Sequence, residues 1–320
     1  MTRLRLRPAA ALIALLAVSI FPQVASADLL STTTSTTTTT STTLNPITDW
    51  SSLLPGLAGP YQPNDPTNIC NAGNPQCVLS VAREMAKRLQ PLSNSCDHNA
   101  LFALLYYDVT KQIYTAVTTP GYFQVPGVIS HEDALFASYY FNAYDSYTSG
   151  NLAATPVAWQ IAFNAAKTHE EQGEGNLLLG MNAHINRDLP FVLYRMGLFN
   201  DNGTSRKPDH DKVNDVLYDA YPVAISEGAR RFDPSVADNS PDSLGADGGI
   251  QTVIGWREEA WRNAERLASA ANDADRALIA QQINDAAAAE ARTIEAAYAY
   301  PPGQSTASRD AYCAIHHNDS

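Results

Sequence analysis

The chain has 320 residues, 33 acidic against 21 basic side chains, and a net charge of −12. An acidic surface is a poor match for nucleic acid, because binding to the phosphate backbone depends on Lys and Arg contacts. We therefore expect no nucleic-acid partner. The charge is better explained as a contribution to solubility.

Residues 1–27 have the features of a secretory signal peptide. Arg3, Arg5 and Arg7 precede an apolar run over 9–21 and the small residues of 25–27, which is the order that such leaders share. The run is shorter than a membrane span of ~20 residues, and no second long apolar run follows. We predict a secreted, extracellular protein without a transmembrane segment. Cleavage would leave 18 basic and 33 acidic residues, a net charge of −15.

Residues 28–49 are predicted to be a disordered spacer, because positions 31–43 contain only Ser and Thr and cannot bury apolar surface. Residues 50–320 remain as one helical domain with disulfide-tied ends. The four cysteines of an exported chain suggest two disulfides, with three possible pairings. We favour a short clip, Cys70–Cys77, and a long-range tie, Cys96–Cys313. The oligomeric state cannot be read from the sequence.

Apolar residues three and four positions apart predict helices over most of the domain. Pro91 is expected to end the first, and Ser130 to Asp133 is interpreted as a capping box that begins the third. Positions 231–249 are interpreted as a loop, and the tail after Cys313 as mobile. The predicted fold is an all-α, single-domain bundle of about eight helices with a kinked, buried polar helix, the helices covering about 78–89, 97–113, 130–141, 155–169, 177–198, 209–221, 250–271 and 275–298.

The polar chemistry is concentrated in the helix from Gly180 to Pro190, whose flanks are apolar. His184 and Asp188 are four residues apart and share a face, and Asn182 and Asn186 form a second such pair. Arg187 lies one turn after His184. Pro190 lacks an N–H, so we expect a kink and a free carbonyl at Asn186.

A His-x-x-x-Asp pair permits three interpretations. It can bind a metal through imidazole and carboxylate, act as a general base oriented by the acid, or join helices as a structural lock of satisfied hydrogen bonds. Two further groups are candidates to complete a site. Asp211 and Asn214 follow His210 at a predicted helix start, and Arg257 and Trp261 share a face of the penultimate helix.

The chain resembles a family of uncharacterised actinobacterial secreted proteins. The resemblance rests on the polar helix, Gly-Met-Asn-Ala-His-Ile-Asn-Arg-Asp-Leu-Pro, and on Asp211, Asn214, Arg257 and Trp261. That resemblance implies no activity. His184 and Asp188 are also similar to a zinc-ligand pair of the zinc-dependent phospholipase C and single-strand nuclease group, which are secreted all-α enzymes. The second resemblance implies zinc, or another divalent metal, as cofactor.

Our first hypothesis is an exported hydrolase, metal-dependent, that acts on an ester or phosphoester of a small molecule or lipid. The alternatives are a non-enzymatic cell-envelope or binding protein and a metal-free His/Asp acid–base enzyme. The predicted catalytic residues are His184, Asp188, Asp211 and Arg257; the predicted substrate-binding residues are Asn182, Asn186, Arg187, Asn214 and Trp261; the predicted metal ligands are His184, Asp188 and His210.

Overall fold

The computed structural model describes residues 61–63, 65–237 and 245–319. The predicted leader, the Ser/Thr spacer and the expected start of the domain at residue 50 lie outside these ranges. Within them, the chain forms a helical bundle, and its extended pairing consists of two isolated bridges. The helices are α1 Pro75–Asn94, α2 Ala100–Thr118, α3 Pro126–Thr148, α4 Val157–Thr168, α5 Gly173–Asn182, α6 Leu189–Met196, α7 Lys207–Arg231, α8 Gly245–Ser269, α9 Asp273–Tyr298 and α10 Ala307–His316. The all-α single-domain prediction is confirmed.

The polar helix lies at the centre of the bundle. A π-helical turn, Ala183–Asp188, joins α5 to α6, and α2, α3, α4, α8 and α9 pack around this continuous unit. Gly180 permits a close approach of α2, because a Cβ there would lie 2.5 Å from the ring of Phe102. The aromatic wall of α2 therefore reaches the backbone just before the π-helical turn.

Both predicted disulfides are present, Cys70–Cys77 and Cys96–Cys313. The second joins the turn before α2 to α10, an amphipathic helix that the sequence analysis did not predict. Its last three residues follow Cys313, where a mobile tail was expected. Among the described residues, no helix is both long enough and apolar enough to cross a membrane.

Three boundary predictions are wrong. Pro91 lies inside the last turn of α1, where the loss of one backbone hydrogen bond does not end the helix. Helix α3 begins at Pro126, so Ser130 to Asp133 is a buried helical segment and not a capping box. The stretch assigned to a loop over 231–249 contains a short 3-10 turn, Pro234–Ala237, and the start of α8.

The start of α3 depends on a carboxylate from another helix. Asp209 on α7 accepts the backbone N–H groups of Gln124 and Val125, both at 2.7 Å. Pro126 then occupies the first helical position, where its missing N–H costs nothing. Asp209 is 84 residues from Val125 in the sequence. A pattern of neighbouring residues cannot indicate such a contact, which explains why the helix start was misplaced.

Candidate functional site

The break expected near Pro190 takes the form of the π-helical turn. The N–H of Leu189 donates to the carbonyl of His184, five residues back. This wider turn ends two residues before Pro190, whose ring could not fit a regular α-helical hydrogen-bond pattern. Single π-helical turns inside α-helices occur frequently at functional sites, which directs attention to the side chains of this segment.

Asp188 is fully buried and has a complete set of partners. Its Oδ1 accepts a hydrogen bond from Nη1 of Arg187 at 2.7 Å, and its Oδ2 accepts one from Nε1 of Trp159 at 2.8 Å. Nε of Arg187 donates in turn to Asn284 on α9 at 3.0 Å. The carboxylate is thereby fixed in place by an adjacent cation and by two neighbouring helices.

Asn182 and Asn186 form a second link to α9. Nδ2 of Asn186 donates to Oδ1 of Asn182, and Nδ2 of Asn182 donates to the carbonyl of Ala287, both at 2.9 Å. Neither asparagine lines the cavity described below. The two residues therefore hold helices together, as the structural-lock interpretation expects, and do not contact the space where a ligand would lie.

His184 differs from these neighbours, because one of its ring nitrogens has no partner. Its imidazole stacks on Phe136 with ring centroids 3.4 Å apart and lies 4.4 Å from the ring of Tyr106. Nδ1 is 3.4 Å from Oδ2 of Asp188, while Nε2 is buried without a hydrogen bond among the described residues. The carboxylate favours the tautomer that carries hydrogen on Nδ1, which leaves a lone pair on Nε2.

A cavity of about 90 Å³ adjoins this ring. The lining side chains with polar groups are those of Tyr106, Glu132, Asp133, His184, Tyr221 and Arg257. The other walls are aliphatic and aromatic side chains of α2, α3, α5, α7, α8 and the π-helical turn. A water needs ~10–15 Å³ by this kind of measure. The space is therefore large enough for several waters or for a small organic group.

Three lining residues each present a buried polar atom without a partner: the hydroxyl of Tyr106, Oδ2 of Asp133 and Nε2 of His184. Buried polar atoms in native proteins are nearly always hydrogen-bonded, to protein or to ordered water, so these three residues mark a place where bound water or a ligand supplies the partner. Burial raises the pKa of Asp133 well above its usual range, with a smaller contribution from Glu132, and so favours the neutral acid.

The protonation of the other two groups follows from the same burial. Burial lowers the pKa of His184 and raises that of Tyr106 well above its usual range. At neutral pH the cavity therefore holds an uncharged imidazole, an uncharged phenol and a carboxyl group that favours its acid form. This is a set of one proton acceptor and two proton donors in an apolar wall.

Arg257 lies on the same cavity and is held by two residues of α7. Its Nε donates to Oδ1 of Asn214 at 2.8 Å, and its Nη2 donates to the carbonyl of His210 at 2.7 Å. Burial lowers its pKa to about 10. The imidazole of His210 faces the backbone carbonyl of Arg257 at 3.3 Å and Oε1 of Glu132 at 4.0 Å. The α7 residues thus position a buried cation beside the carboxyl groups of α3.

Asp211 and Trp261, which were also predicted as site residues, lie apart from this cavity. Asp211 is exposed and accepts a hydrogen bond from Nζ of Lys207 at 2.7 Å. Trp261 donates from Nε1 to Glu265 at 2.8 Å and lines a separate shallow recess. The structure therefore brings together His184 and Arg257, with Asn214 and His210 behind the arginine, and leaves Asp211 and Trp261 aside.

The residues predicted as metal ligands do not fit a zinc centre. Both oxygens of Asp188 accept hydrogen bonds from Trp159 and Arg187, and His210 faces Arg257, a buried cation. Over the described part of the chain, three ligand-type side chains come within 4.8 Å of one another at one place, which is formed by His98, His169 and Asp310. His184, Asp188 and His210 do not form such a group.

Sequence reasoning missed Tyr106, Glu132 and Asp133. The two acids were assigned to a helix start, although the apolar run that follows them resembles the flank of the polar helix. A signal was available, because Ser130 to Asp133 places four polar residues in succession inside an apolar helix, and in the structure all four are buried. Tyr106 carried no local signal, since a tyrosine in an apolar helix is ordinarily core packing.

The chain belongs to the family of unknown function DUF5995, which matches residues 78–297. The matched range includes the π-helical turn, the cavity residues and Arg257. No curated protein and no solved structure matches the chain.

Proposed function

We propose that this protein is an exported hydrolase that cleaves a small, mostly apolar carboxylic ester by metal-free acid–base catalysis at His184. One observation carries the proposal: Nε2 of His184, the hydroxyl of Tyr106 and Oδ2 of Asp133 are unpartnered and belong to residues that line one buried cavity.

His184 is assigned the role of general base. Its lowered pKa keeps the imidazole neutral at physiological pH, and Asp188 orients it and would stabilise the imidazolium that forms during reaction. Trp159 and Arg187 fix Asp188 in turn. Geometry, tautomer and protonation state therefore agree on Nε2 as the proton acceptor.

Tyr106 and Asp133 are assigned to the developing oxyanion. Both are O–H donors when uncharged, and their raised pKa values favour the uncharged forms. Donors placed in an apolar, water-poor site stabilise developing negative charge far more strongly than water-exposed donors. Their unpartnered state means that no existing hydrogen bond has to break before they act.

The reaction balances with these groups alone. Nε2 of His184 takes a proton from water while the water oxygen bonds to the ester carbonyl carbon, and the carbonyl electron pair moves to oxygen. The tetrahedral intermediate then re-forms the carbonyl and breaks the bond to the alkoxide. The alkoxide takes the proton from the imidazolium, which gives an alcohol, a carboxylic acid and neutral His184.

The cavity favours a short neutral ester over a phosphoester or a long-chain lipid. Its walls are mostly apolar, and its volume is about 90 Å³. A cavity of ~150 Å³ accommodates benzene, so this one suits a short acyl group. Arg257, which lines the same cavity, is positioned to hold the carboxylate product.

The proposal is tested with a series of nitrophenyl esters, from acetate to octanoate, on the purified protein with both disulfides formed. We expect the shortest esters to be hydrolysed fastest. A His184→Gln variant should lose about 10²–10⁴-fold in kcat/KM, while a matched His316→Gln change, at an exposed histidine of α10, should leave the rate unchanged. Activity should survive treatment with a chelator.

Two results would remove the hydrolase. The first is a parent protein that turns over none of the esters, and the second is a folded His184→Gln variant, with the parent's circular dichroism and melting curve, that keeps full activity. If the parent protein is active but loses its activity in the presence of a chelator, the metal-dependent interpretation is favoured instead, with a metal site that does not include Asp188.

A non-enzymatic ligand-binding protein is the second candidate, favoured by the extensive apolar lining and by the satisfied hydrogen bonds of Asn182, Arg187 and Asp188. Such a protein would bind short esters or acids without turnover, and His184→Gln would weaken binding and change no rate. Export is part of either proposal. The two disulfides support export, because disulfides persist in oxidising compartments. The predicted signal peptide supports it as well.

A further inference from the structure

A second group of polar side chains meets at the edge of the bundle, away from the His184 cavity. His98 lies just before α2, His169 is the residue that ends α4, and Asp310 lies on α10. Nε2 of His98 is 2.8 Å from Oδ1 of Asp310, and Nδ1 of His169 is 3.4 Å from Oδ2. The two imidazoles stack with ring centroids 4.0 Å apart, so both rings direct a nitrogen at the same carboxylate.

We propose that His98, His169 and Asp310 form a binding site for a divalent transition metal, with zinc as the best match. Two imidazoles and one carboxylate are a common zinc ligand set, with bonds of about 2.0–2.2 Å. In a tetrahedron of that size the ligand atoms lie about 3.3 Å apart. The two observed separations lie on either side of that value, and one ligand atom from each of the three residues lies within 4.8 Å of the others.

The surroundings combine a fixed ligand with open access. The side chain of His98 is 2% exposed, whereas those of His169 and Asp310 are 46% and 36% exposed. An ion can therefore enter from solvent, and water can complete its coordination. Thr306 donates a hydrogen bond to Oδ2 of Asp310 at 2.7 Å, which orients the carboxylate as outer partners of metal ligands usually do.

The backbone at His169 is unusual for this residue type. Its φ of +58° lies in the left-handed region, where helices commonly end on Gly or Asn. A histidine at this position is disfavoured by its Cβ, and the conformation places its ring over His98. The free-energy cost of this backbone conformation would be offset if the imidazole binds a metal ion.

Covalent and electrostatic features also favour the site. Cys96 lies two residues before His98, and Cys313 lies about one helical turn after Asp310 on α10. The disulfide between them therefore holds two of the three ligands near each other before a metal binds. The nearby cation Arg309 is paired with Asp233 at 3.4 Å and donates to Asn176 at 2.6 Å. The carboxylate of Asp233 offsets part of its positive charge.

The test is calorimetric titration of zinc sulfate into the chelator-stripped, disulfide-bonded protein. We expect one equivalent to bind with micromolar or tighter affinity and to raise the melting temperature. His169→Gly should weaken binding by at least about 100-fold, as should Asp310→Asn. Glycine suits the left-handed backbone, so this variant removes the ligand while the fold is retained. Cobalt should give the absorption bands of a four-coordinate ion, lost in the same variants.

The matched control is His316→Gln, which removes an exposed histidine of the same helix that already pairs with Asp319 at 2.8 Å. It should bind zinc like the parent. The proposal is overturned if neither zinc nor cobalt binds saturably, if His169→Gly binds as tightly as the parent, or if the loss follows His316→Gln or His184→Gln. None of these results bears on ester hydrolysis at His184.

Discussion

The two histidine regions of this protein differ in what surrounds the imidazole. His184 is enclosed by aromatic rings, and its Nδ1 faces Asp188, whose oxygens already accept hydrogen bonds from Trp159 and Arg187. Its Nε2 has no partner and belongs to a residue that lines a mostly apolar cavity. His98 and His169 lie at the margin of the bundle and converge on a carboxylate that solvent can reach. The first arrangement suits proton transfer and the second suits a cation. A histidine therefore has to be interpreted together with the number of free ligand atoms beside it.

The two carboxylates make the same contrast. Asp188 is 0% exposed, and both of its oxygens accept hydrogen bonds from buried donors. Asp310 is partly exposed and shares its oxygens with two imidazoles and a threonine hydroxyl. The oxygens of Asp188 are therefore fully used by buried hydrogen-bond donors. Asp310 can instead exchange a hydrogen bond for a bond to a metal ion at little cost in free energy.

The largest expected effect is on the buried carboxylate. Asp188→Asn removes the charge that balances Arg187 and should lower the free energy of unfolding by about 3–5 kcal/mol, because it leaves a buried cation unpaired. Chemical denaturation measures this change. Asp211→Asn, at an exposed position, should stay within about 0.5 kcal/mol of the parent. Equal effects of the two changes would contradict the assigned role of Asp188.

An intermediate effect concerns pH. Burial holds the pKa of His184 below its ordinary value, so above pH ~6.5 the imidazole is neutral in both the folded and unfolded states. Below that pH the unfolded chain binds a proton that the folded site resists, and stability falls by up to about 1.4 kcal/mol per pH unit. The stability that His184 contributes is thus present above pH ~6.5 and lost on acidification.

A His184→Phe variant isolates this contribution, because phenylalanine keeps the stacking on Phe136 and cannot titrate. Urea denaturation at several values between pH 7.5 and 5 should show a shallower acid loss for the variant than for the parent, by about 1 kcal/mol per pH unit at most. Identical slopes for His184→Phe and the parent would mean that His184 is protonated in the folded protein.

The smallest expected effect on stability is at Tyr106. Its hydroxyl has no partner, so Tyr106→Phe should change the free energy of unfolding by less than about 0.5 kcal/mol, in either direction. Ester hydrolysis should nevertheless fall by about 10²-fold, as for the loss of one oxyanion donor. Thermal melting and kcat/KM on the same sample separate the two. A clear loss of stability would show that the hydroxyl has a structural partner.

Local patterns were sufficient for the all-α fold and for the position of the polar helix, because helical periodicity acts over short distances along the chain. The even number of cysteines indicated two disulfides, and the favoured one of the three possible pairings is observed. Local patterns could not place the start of α3, because the two residues before it, Gln124 and Val125, are held by Asp209 of another helix. They also could not unite His98 with Asp310, which are 212 residues apart. The cavity depends on side chains from several helices, so its acids and Tyr106 became recognisable only in the folded chain.

The most direct test of the central claim is a crystal structure of the protein soaked with short-chain esters and their carboxylic acids. We predict a bound molecule in the cavity, with an oxygen about 2.7–3.2 Å from Nε2 of His184, the hydroxyl of Tyr106 or the carboxyl group of Asp133. A cavity that stays closed to every compound, with these three groups hydrogen-bonded to one another, would contradict the claim. In that case the polar helix would serve the fold alone.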